Sequence, residues 1–470
     1  MRRRRWISIV LALVLLAAAC GRDEDDGDSD GAAQPTNPPA AGETTSTTAD
    51  VCASETLEAT EIGVTADEIV IEVMADVGSP LAPGLFQGSI DAVKAWAQHI
   101  NEQGGLACRE VVVREWDSKL TPDDTINGTI DACQNALAMV GTTSLFVLDP
   151  SNLANCPDKS GAPTGLPDIA ERATEIPHQC NPTTYSIAAT PGECPYNGGT
   201  RRSVEFVGPY RFYKTIEPNL HGIFLIPGDL PSAVQSSIMG VRAAEQAGVV
   251  VNDAEFRVSG RDEQASFSRY IQAIKENNST LGYNGSNDVA MVKFRKEAKA
   301  QGVDSVTIWA CSLACYTPQF LQQGGADVEG TYLWTPFVPL EEADTVPELQ
   351  AYLDAVGGID KASSWGVGAW AAATALKQII DDIVATDGPN GITRAKILAG
   401  LEEMQNTGNF NANGIYGERL NIGGAFSCFV VMQVQNGEFV RIHPKERGKL
   451  DCSPDNTFEV NIDPTTAFRG

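Results

Sequence analysis

Residues Glu68 to Leu106, EIVIEVMADVGSPLAPGLFQGSIDAVKAWAQHINEQGGL, decide the fold of this chain. Apolar residues alternate between Ile69 and Met74, as the pleat of a β-strand requires. Residues 78–84 hold two Gly and two Pro, which are incompatible with the interior of a helix or strand and predict a loop. Apolar residues then recur at helical spacing until Gly104 and Gly105, which end the predicted helix. The stretch therefore predicts the first half of a βαβ unit, and in open α/β sheets ligands bind at such strand-end loops.

Strand and helix patterns alternate along the rest of the chain, which favours the α/β class with parallel sheets and helices on both faces. Further strands are predicted at 108–116, 138–140, 184–188, 221–226, 254–258, 280–283, 305–310 and 330–334. The longest helix is predicted at 365–386, and Asn436-Gly437 predicts a type I′ turn in a hairpin over 426–442. Residues 149–200 are rich in Pro, Gly, Asn and Cys, so we expect an irregular segment stapled by its cysteines.

The amino terminus has the pattern of a targeting signal. Arg2 to Arg5 precede an apolar stretch, Trp6 to Ala19, that is shorter than the roughly 20 residues of a membrane span. It ends in small residues before Cys20, so residues 1–19 are predicted to be a signal peptide and Cys20 the lipid anchor of a bacterial lipoprotein. An ordinary secretory signal with an incidental cysteine is the alternative. Residues 20–60, acidic and then rich in Pro and Thr, are predicted to be a solvated tether.

The formal net charge of −27 weighs against some classes of partner. A strongly negative protein repels phosphate backbones, so no role with nucleic acid is expected.

Eleven cysteines, less the one expected to be acylated, leave ten that could form five disulfides in an oxidising compartment. Three pairs are predicted because each joins neighbouring elements: Cys108/Cys133, Cys311/Cys315 and Cys428/Cys452. Cys52, Cys156, Cys180 and Cys194 admit three connectivities, which stay open. Zinc is the alternative at Cys311 and Cys315, but no second Cys or His pair lies nearby, so no metal is expected.

Catalytic motifs are not found in the sequence. The four histidines, His99, His178, His221 and His443, are scattered and match no metal-ligand spacing. There is no nucleophile elbow, no phosphate-binding Walker loop and no dinucleotide fingerprint. We therefore expect neither an enzyme nor a bound cofactor.

Small polar residues recur instead at the ends of predicted strands. Hydroxyls are offered by Ser79, Thr142, Thr143, Ser144 and Thr190. Such a set suits a small anionic group, for example a carboxylate, although ordinary turn chemistry explains each residue taken singly. Aromatic residues that could cover an apolar part of a ligand are Tyr283, Trp309 and Tyr316. Asp229 and Asp288 are candidates to meet an ammonium group.

Several motifs together give residues 62–445 a resemblance to a known family. They are Asn101-Glu-Gln-Gly104-Gly105, Asp117-Ser118, Val140-Gly141, Ser186-Ile-Ala-Ala-Thr190 and Asn436-Gly437-Glu438-Phe439. With the signal and tether, the chain resembles the type I periplasmic solute-binding proteins, and within them the leucine/isoleucine/valine-binding-like receptors of ABC importers.

The resemblance implies two doubly wound parallel-sheet lobes joined by a hinge, with a central ligand cleft. Lobe 1 would comprise 61–210 with 336–420, and lobe 2 would comprise 211–335 with 421–470. The ligand's carboxylate would face Ser79, Leu81 and Ala82, then Thr142 to Ser144, then Ala188 to Thr190. The ligand contacts from the opposite lobe would be supplied by Tyr283 to Asp288.

The implied function is that of an extracytoplasmic lipoprotein on the cell membrane, presumed monomeric. It would capture an amino acid or amide-like solute, with a branched-chain amino acid as the default, and deliver it to the permease subunits of an ABC importer. A ligand-sensing receptor subunit that signals through a membrane partner is the alternative. A secreted cell-envelope enzyme is a third hypothesis.

Overall fold

A computed structural model describes residues 55–80, 83–189, 192–228, 231–255, 257–259 and 265–463. Several predicted features lie outside these residues: the signal peptide, Cys20, nearly all of the tether, Cys52, Leu81, Ala82, Thr190 and Asp229.

The first sheet has five parallel strands in the order β2-β1-β3-β4-β5. Their bounds are β1 Glu68–Ala75, β2 Glu110–Asp117, β3 Ala138–Val140, β4 Asp168–Ala173 and β5 Thr184–Ala189. β1 pairs with β2 from Glu68↔Glu110 to Ala75↔Asp117. Five consecutive residues, Ile71 to Ala75, are buried, as expected of a parallel strand with helices on both faces. The strand, loop and helix predicted from the opening stretch are confirmed, whereas β4 was not predicted.

The second sheet has eight strands, with the path β14-β13-β12-β11-β10-β7-β8 and β9 paired to β7. Their bounds are β7 His221–Pro227, β8 Val250–Asp253, β9 Arg257–Val258, β10 Leu281–Asn284, β11 Ile308–Cys311, β12 Tyr332–Thr335, β13 Val430–Gln435 and β14 Glu438–His443. β13 runs antiparallel to β12 and to β14. The predicted hairpin turn is confirmed, because Asn436 and Gly437 have φ of 55° and 77°.

A third, two-stranded sheet joins distant parts of the chain. β6 (Arg201–Phe206) pairs antiparallel with β15 (Thr457–Ile462). Neither strand was predicted. Because β6 follows the first sheet and precedes the second in sequence, it lies on the connection between them.

Twelve helices are found in the described part of the chain. Those of the first half are α1 Gln87–Glu102, α2 Pro122–Asn135, α3 Ser151–Ala154, α4 Ile176–Gln179, α5 Gly208–Ile216 and α6 Pro231–Gln246. Those of the second half are α7 Ser268–Asn277, α8 Asp288–Ala300, α9 Pro318–Gly324, α10 Pro347–Val356, α11 Ser364–Asp387 and α12 Arg394–Thr407. Short 3-10 helices lie at Leu313–Cys315, Gly325–Asp327, Leu340–Thr345, Ile359–Lys361 and Pro454–Asn456. None of the described helices is both long and apolar enough to cross a membrane.

The helix α11 anchors the first lobe. It packs against α1 and β4 although it follows the second sheet in sequence, so the chain returns to the first lobe before it enters β13. Trp96 of α1 and Trp370 of α11 are both at most 1% exposed. The hydroxyl of Ser363 caps α11 by accepting from the backbone N–H of Trp365 at 3.2 Å. The predicted α/β class with two lobes is confirmed.

The disulfides correct one predicted pair. Cys311–Cys315 and Cys428–Cys452 are bonded as predicted. Cys133 is bonded not to Cys108 but to Cys156, with the two Cα atoms 5.7 Å apart. The reason is that Cys133 and Cys156 pack in one cluster with Leu153 and Leu166, which puts this face of α2 against the segment after β3.

The segment 149–200 is stapled, as expected. Cys156 ties its beginning to α2, and Cys180–Cys194 closes its second half. Cys108 is also disulfide-bonded. The segment contains β4 and β5, so it is less irregular than its composition suggests.

Candidate functional site

One cavity borders both lobes at the carboxyl ends of their strands. Its volume is about 210 Å³. From the first lobe it is lined by Arg172, Ala173 and Thr174 at the end of β4 and by Ala188 and Ala189 of β5. From the second lobe it is lined by Gln235, Met239, Tyr283 and Trp334. Glu205 and Phe206 of β6, with Tyr210 and Phe426, complete the wall. This is where ligands bind in open α/β sheets.

Arg172 supplies the positive charge on the first-lobe side. Its side chain is 27% exposed, and its Nε lies 3.6 Å from Oε2 of Glu171. The guanidinium carbon lies 4.7 Å from the centre of the Trp365 ring, a cation–π distance. In the β4–β5 ladder Arg172 is directly opposite Ala188.

Glu171 precedes Arg172 in β4 and is buried, with 3% of the residue exposed. Burial raises the pKa of its carboxyl to about 7, and the positive charge of Arg172 opposes this shift. A partly protonated Glu171 neutralises Arg172 only in part, so the cavity keeps a positive end.

Glu205 is the acidic group on the opposite wall. It is 9% exposed and shares the buried face of β6 with Arg201 and Ser203. Its Oε1 is buried and has no hydrogen-bond partner among the described residues. Burial raises its pKa to about 8, and the charge of Arg201 opposes this shift. Glu205 is therefore largely protonated at neutral pH and can either donate or accept a hydrogen bond.

Aromatic rings form another part of the cavity wall. The rings of Tyr210 and Tyr283 have centroids 6.1 Å apart, and those of Phe206 and Trp334 are 4.9 Å apart. Burial raises the pKa of Tyr283 to about 12, so its hydroxyl stays protonated. The site thus combines one cation, one buried carboxyl group and an apolar wall. No group of three or more His, Cys, Asp or Glu side chains in the described residues is placed to hold a metal ion.

A family model described as a periplasmic binding protein matches residues 68–438, most of the chain. The chain belongs to the periplasmic binding protein family. The resemblance read from the sequence motifs is thereby confirmed.

Solved structures of periplasmic binding proteins share the fold. One is a branched-chain amino acid ABC transporter from Thermus thermophilus with bound valine, at 11% identity and a TM-score of 0.62, covering 83% of this chain and 97% of that one. A second is the substrate-binding protein LivJ from Streptococcus pneumoniae with isoleucine, at 14% identity and a TM-score of 0.59, covering 80% and 100%.

A third is a fatty acid ABC transporter substrate-binding protein from Thermomonospora curvata, at 15% identity and a TM-score of 0.59, covering 84% and 94%. No match is found among curated proteins.

The loop after β3, Thr142 to Ser144, was expected to bind a carboxylate through its hydroxyl groups. These hydroxyl groups are hydrogen-bonded inside the first lobe. The hydroxyl of Thr142 donates to Oδ1 of Asp168 at 2.7 Å. That of Thr143 donates to Ser89 at 2.9 Å. The hydroxyl of Ser144 lies 3.2 Å from that of Thr125. All three predicted residues are at most 1% exposed, and Ser79 is 2% exposed. Their role in binding stays a prediction.

The other predicted site residues divide into two groups. Ala188 and Tyr283 line the cavity. Trp309 packs edge-on against Phe294 at 5.0 Å and beneath Arg295 at 4.9 Å. Asp288 begins α8 and accepts a hydrogen bond from the hydroxyl of Thr317 at 3.0 Å. The structure does not place Trp309 or Asp288 among the cavity-lining residues, and their role as ligand contacts stays a prediction.

Most residues of the site were not identified from the sequence, and Arg172, Glu205 and Trp365 are three of them. Arg172 and Glu205 lie on strands that were not predicted. Trp365 was predicted only as the first residue of a helix. The one available signal was Arg172-Ala173-Thr174, a charged residue followed by small residues, which resembles a strand end.

Proposed function

We propose that this protein is the extracytoplasmic substrate-binding component of an ABC-type importer, capturing a small solute between its lobes for a membrane permease. The observation that carries the proposal is the cavity lined by the strand ends of both lobes. A ligand that touches both lobes stabilises their closed arrangement, which is how such a protein turns binding into a signal for a partner. The residues expected in lobe 1 (61–210 with 336–420) and lobe 2 (211–335 with 421–470) are part of this proposal.

The ligand is proposed to be an amino acid, or an amide-like or related compound. Support comes from the size of the cavity, about 210 Å³. Sites for drug-sized ligands measure roughly 300–1,000 Å³, so this cavity suits a smaller metabolite. Of the similar solved structures, one holds valine, one holds isoleucine and one is the substrate-binding protein of a fatty acid transporter. A branched-chain amino acid is the default within this class.

A thermal-shift screen of the purified protein tests the proposal. The panel contains amino acids, their amides, carboxylic acids and short peptides. A ligand that binds only the native state at a hundred times its Kd adds about 2.7 kcal/mol to the free energy of unfolding and raises the Tm. A panel that leaves the Tm unchanged, together with hydrolysis of one of its members, would favour the enzyme hypothesis instead.

Anchoring by a lipid on Cys20 belongs to the same proposal. Two or more acyl chains hold a protein stably on a bilayer, whereas one does not. Mass spectrometry of the processed protein would reveal an acylated amino-terminal cysteine, and Cys20→Ala should release the protein from membranes. A processed protein that begins elsewhere, or that lacks acyl mass, would refute the lipid anchor and leave the solute-binding proposal intact.

A further inference from the structure

Arg172 has hydrogen-bonding capacity that the protein leaves unused. A guanidinium has five N–H donors. The guanidinium of Arg172 donates to none of the described residues, and its Nε is buried. The 3.6 Å separation from Glu171 is too long for a hydrogen bond. A partly buried cation with unused donors carries a desolvation cost, which an anionic ligand would offset.

The guanidinium also lies over an aromatic ring. Its carbon is 4.7 Å from the centre of the Trp365 ring, and Trp365 in turn packs perpendicular to Phe86 at a centroid distance of 5.4 Å. Stacking occupies the face of a guanidinium and leaves its in-plane N–H groups available for a carboxylate. Arg172 is thus oriented in the absence of any ligand, which reduces the entropy lost on binding.

We infer that the cavity selects small organic carboxylates with an apolar body, and that the carboxylate is bound by the guanidinium of Arg172. This inference rests on the proposed function, since it names the substrate class of the same cavity. The apolar body would lie against Phe206, Tyr210 and Trp334, which line the remainder of the cavity. An α-ammonium group is not required, because among the described residues that line the cavity the one acid is Glu205, which burial keeps largely protonated.

The test compares three compounds of nearly equal shape by isothermal titration calorimetry on the purified full chain. They are L-leucine, 4-methylpentanoate, which lacks the ammonium group, and 4-methylpentanamide, which lacks the charge as well. Inorganic phosphate is the fourth probe, since a bare anion site would bind it too. We expect both carboxylates to bind, the amide to bind at least tenfold more weakly, and phosphate to bind more weakly than 4-methylpentanoate.

Variants of Arg172 test whether this residue binds the carboxylate. Arg172→Gln should weaken carboxylate binding by roughly 10- to 100-fold, the size expected for hydrogen bonds to a charged group. Arg172→Lys keeps the charge without the planar fork and should give an intermediate loss. Arg202→Gln is the matched control, because Arg202 is exposed and its ion pair with Glu459 is a long, exposed contact of 3.9 Å. Circular dichroism checks that each variant is folded.

The outcomes separate the two proposals. Binding of the amide as tightly as the acid, or an Arg172→Gln variant that keeps its carboxylate affinity, overturns the carboxylate inference and leaves the solute-binding function standing. Phosphate binding with no carboxylate binding overturns it as well. If none of these probes and no compound of the wider screen binds, both proposals fail. If Arg172→Gln does not fold, the affinities of the Arg172→Lys variant for the same probes decide whether Arg172 binds the carboxylate.

Discussion

Arg441 and Glu342 form a buried ion pair with two parallel hydrogen bonds. Nε of Arg441 lies 2.6 Å from Oε1 of Glu342, and Nη2 lies 2.6 Å from Oε2. Both side chains are 7% exposed. Arg441 also donates to the carbonyl of Lys449 at 2.7 Å, and Glu342 accepts from the backbone N–H of Gly448 at 2.8 Å. The pair thus fastens the segment that leaves β12 to the edge hairpin β13–β14.

Arg441→Met should be strongly destabilising, because it leaves the charge of Glu342 buried without a partner. The expected loss is about 3–5 kcal/mol in the free energy of unfolding, measured by urea denaturation. The double variant with Glu342→Met should recover much of this loss. The control is Arg447→Met, which breaks the exposed pair with Asp344 and should cost at most about 1 kcal/mol. Equal losses in the two single variants would contradict the argument.

The stability should fall as pH rises toward 8 because of Glu72. Burial raises the pKa of this carboxyl to about 8, the neighbouring Asp131 adds to the shift, and Arg114 opposes it. The folded state therefore binds the proton more tightly than the unfolded state. The stabilisation is fully present below the unfolded pKa of about 4.3 and is lost as pH rises through 8.

Glu72→Gln should flatten this slope between about pH 5 and pH 8, measured as the Tm at several pH values. Glu68→Gln is the control, since Glu68 begins the same strand and is exposed. Curves of Tm against pH that run parallel for the Glu72 variant and the parent protein would show that Glu72 does not carry the effect.

Gly240 offers a way to fill the cavity from α6. It lines the cavity, and a Cβ built there meets no atom within 4 Å. Gly240→Phe should therefore place its ring in the cavity and weaken ligand binding by at least about tenfold, measured by calorimetry. Gly240→Ala should raise the free energy of unfolding by roughly 0.5–1 kcal/mol, since glycine is unfavourable inside a helix. Gln246→Phe, on an exposed position of the same helix, is the control and should leave affinity unchanged.

The sequence predicted those helices and strands whose apolar residues recur with a clear period. β1 and α1 are of this kind, and so are α11 and the Asn436-Gly437 hairpin. β4 escaped prediction because its buried residues include polar ones. Asp168, fully buried, accepts from Thr142 at 2.7 Å and from Thr184 at 2.9 Å, and it lies 2.7 Å from Nε2 of His178. A hydrophobic pattern cannot detect a strand whose buried side chains are polar and hydrogen-bonded.

The candidate site was predicted less well than the fold, for a related reason. Ala188 and Tyr283 lie near the ends of strands that the sequence indicated, and both line the cavity. Arg172 and Trp365 are separated by almost two hundred residues, and their contact depends on α11 returning to the first lobe. Glu205 lies on β6, which pairs with β15 more than two hundred and fifty residues away. Contacts of this kind follow from chain topology, which no local pattern encodes.

The disulfide that corrected the predicted pairing supplies a last test. In the chain-entropy model a cross-link stabilises a protein more when it closes a longer loop. Cys133–Cys156 closes a loop with a sequence separation of 23, whereas Cys311–Cys315 closes one of 4. Replacing both cysteines by Ala should cost roughly 3 kcal/mol in the first case and about 2 kcal/mol in the second.

Urea denaturation of the two double variants under the same oxidising conditions measures this difference. The main-chain contacts of the first loop survive the change, because Arg394 donates to the carbonyls of Cys133 at 2.8 Å and Pro157 at 2.6 Å. The extra loss should therefore reflect the cross-link itself. A smaller loss for the Cys133/Cys156 variant than for the Cys311/Cys315 variant would mean that the segment leading into β4 is held by these buried arginine contacts and not by its disulfide.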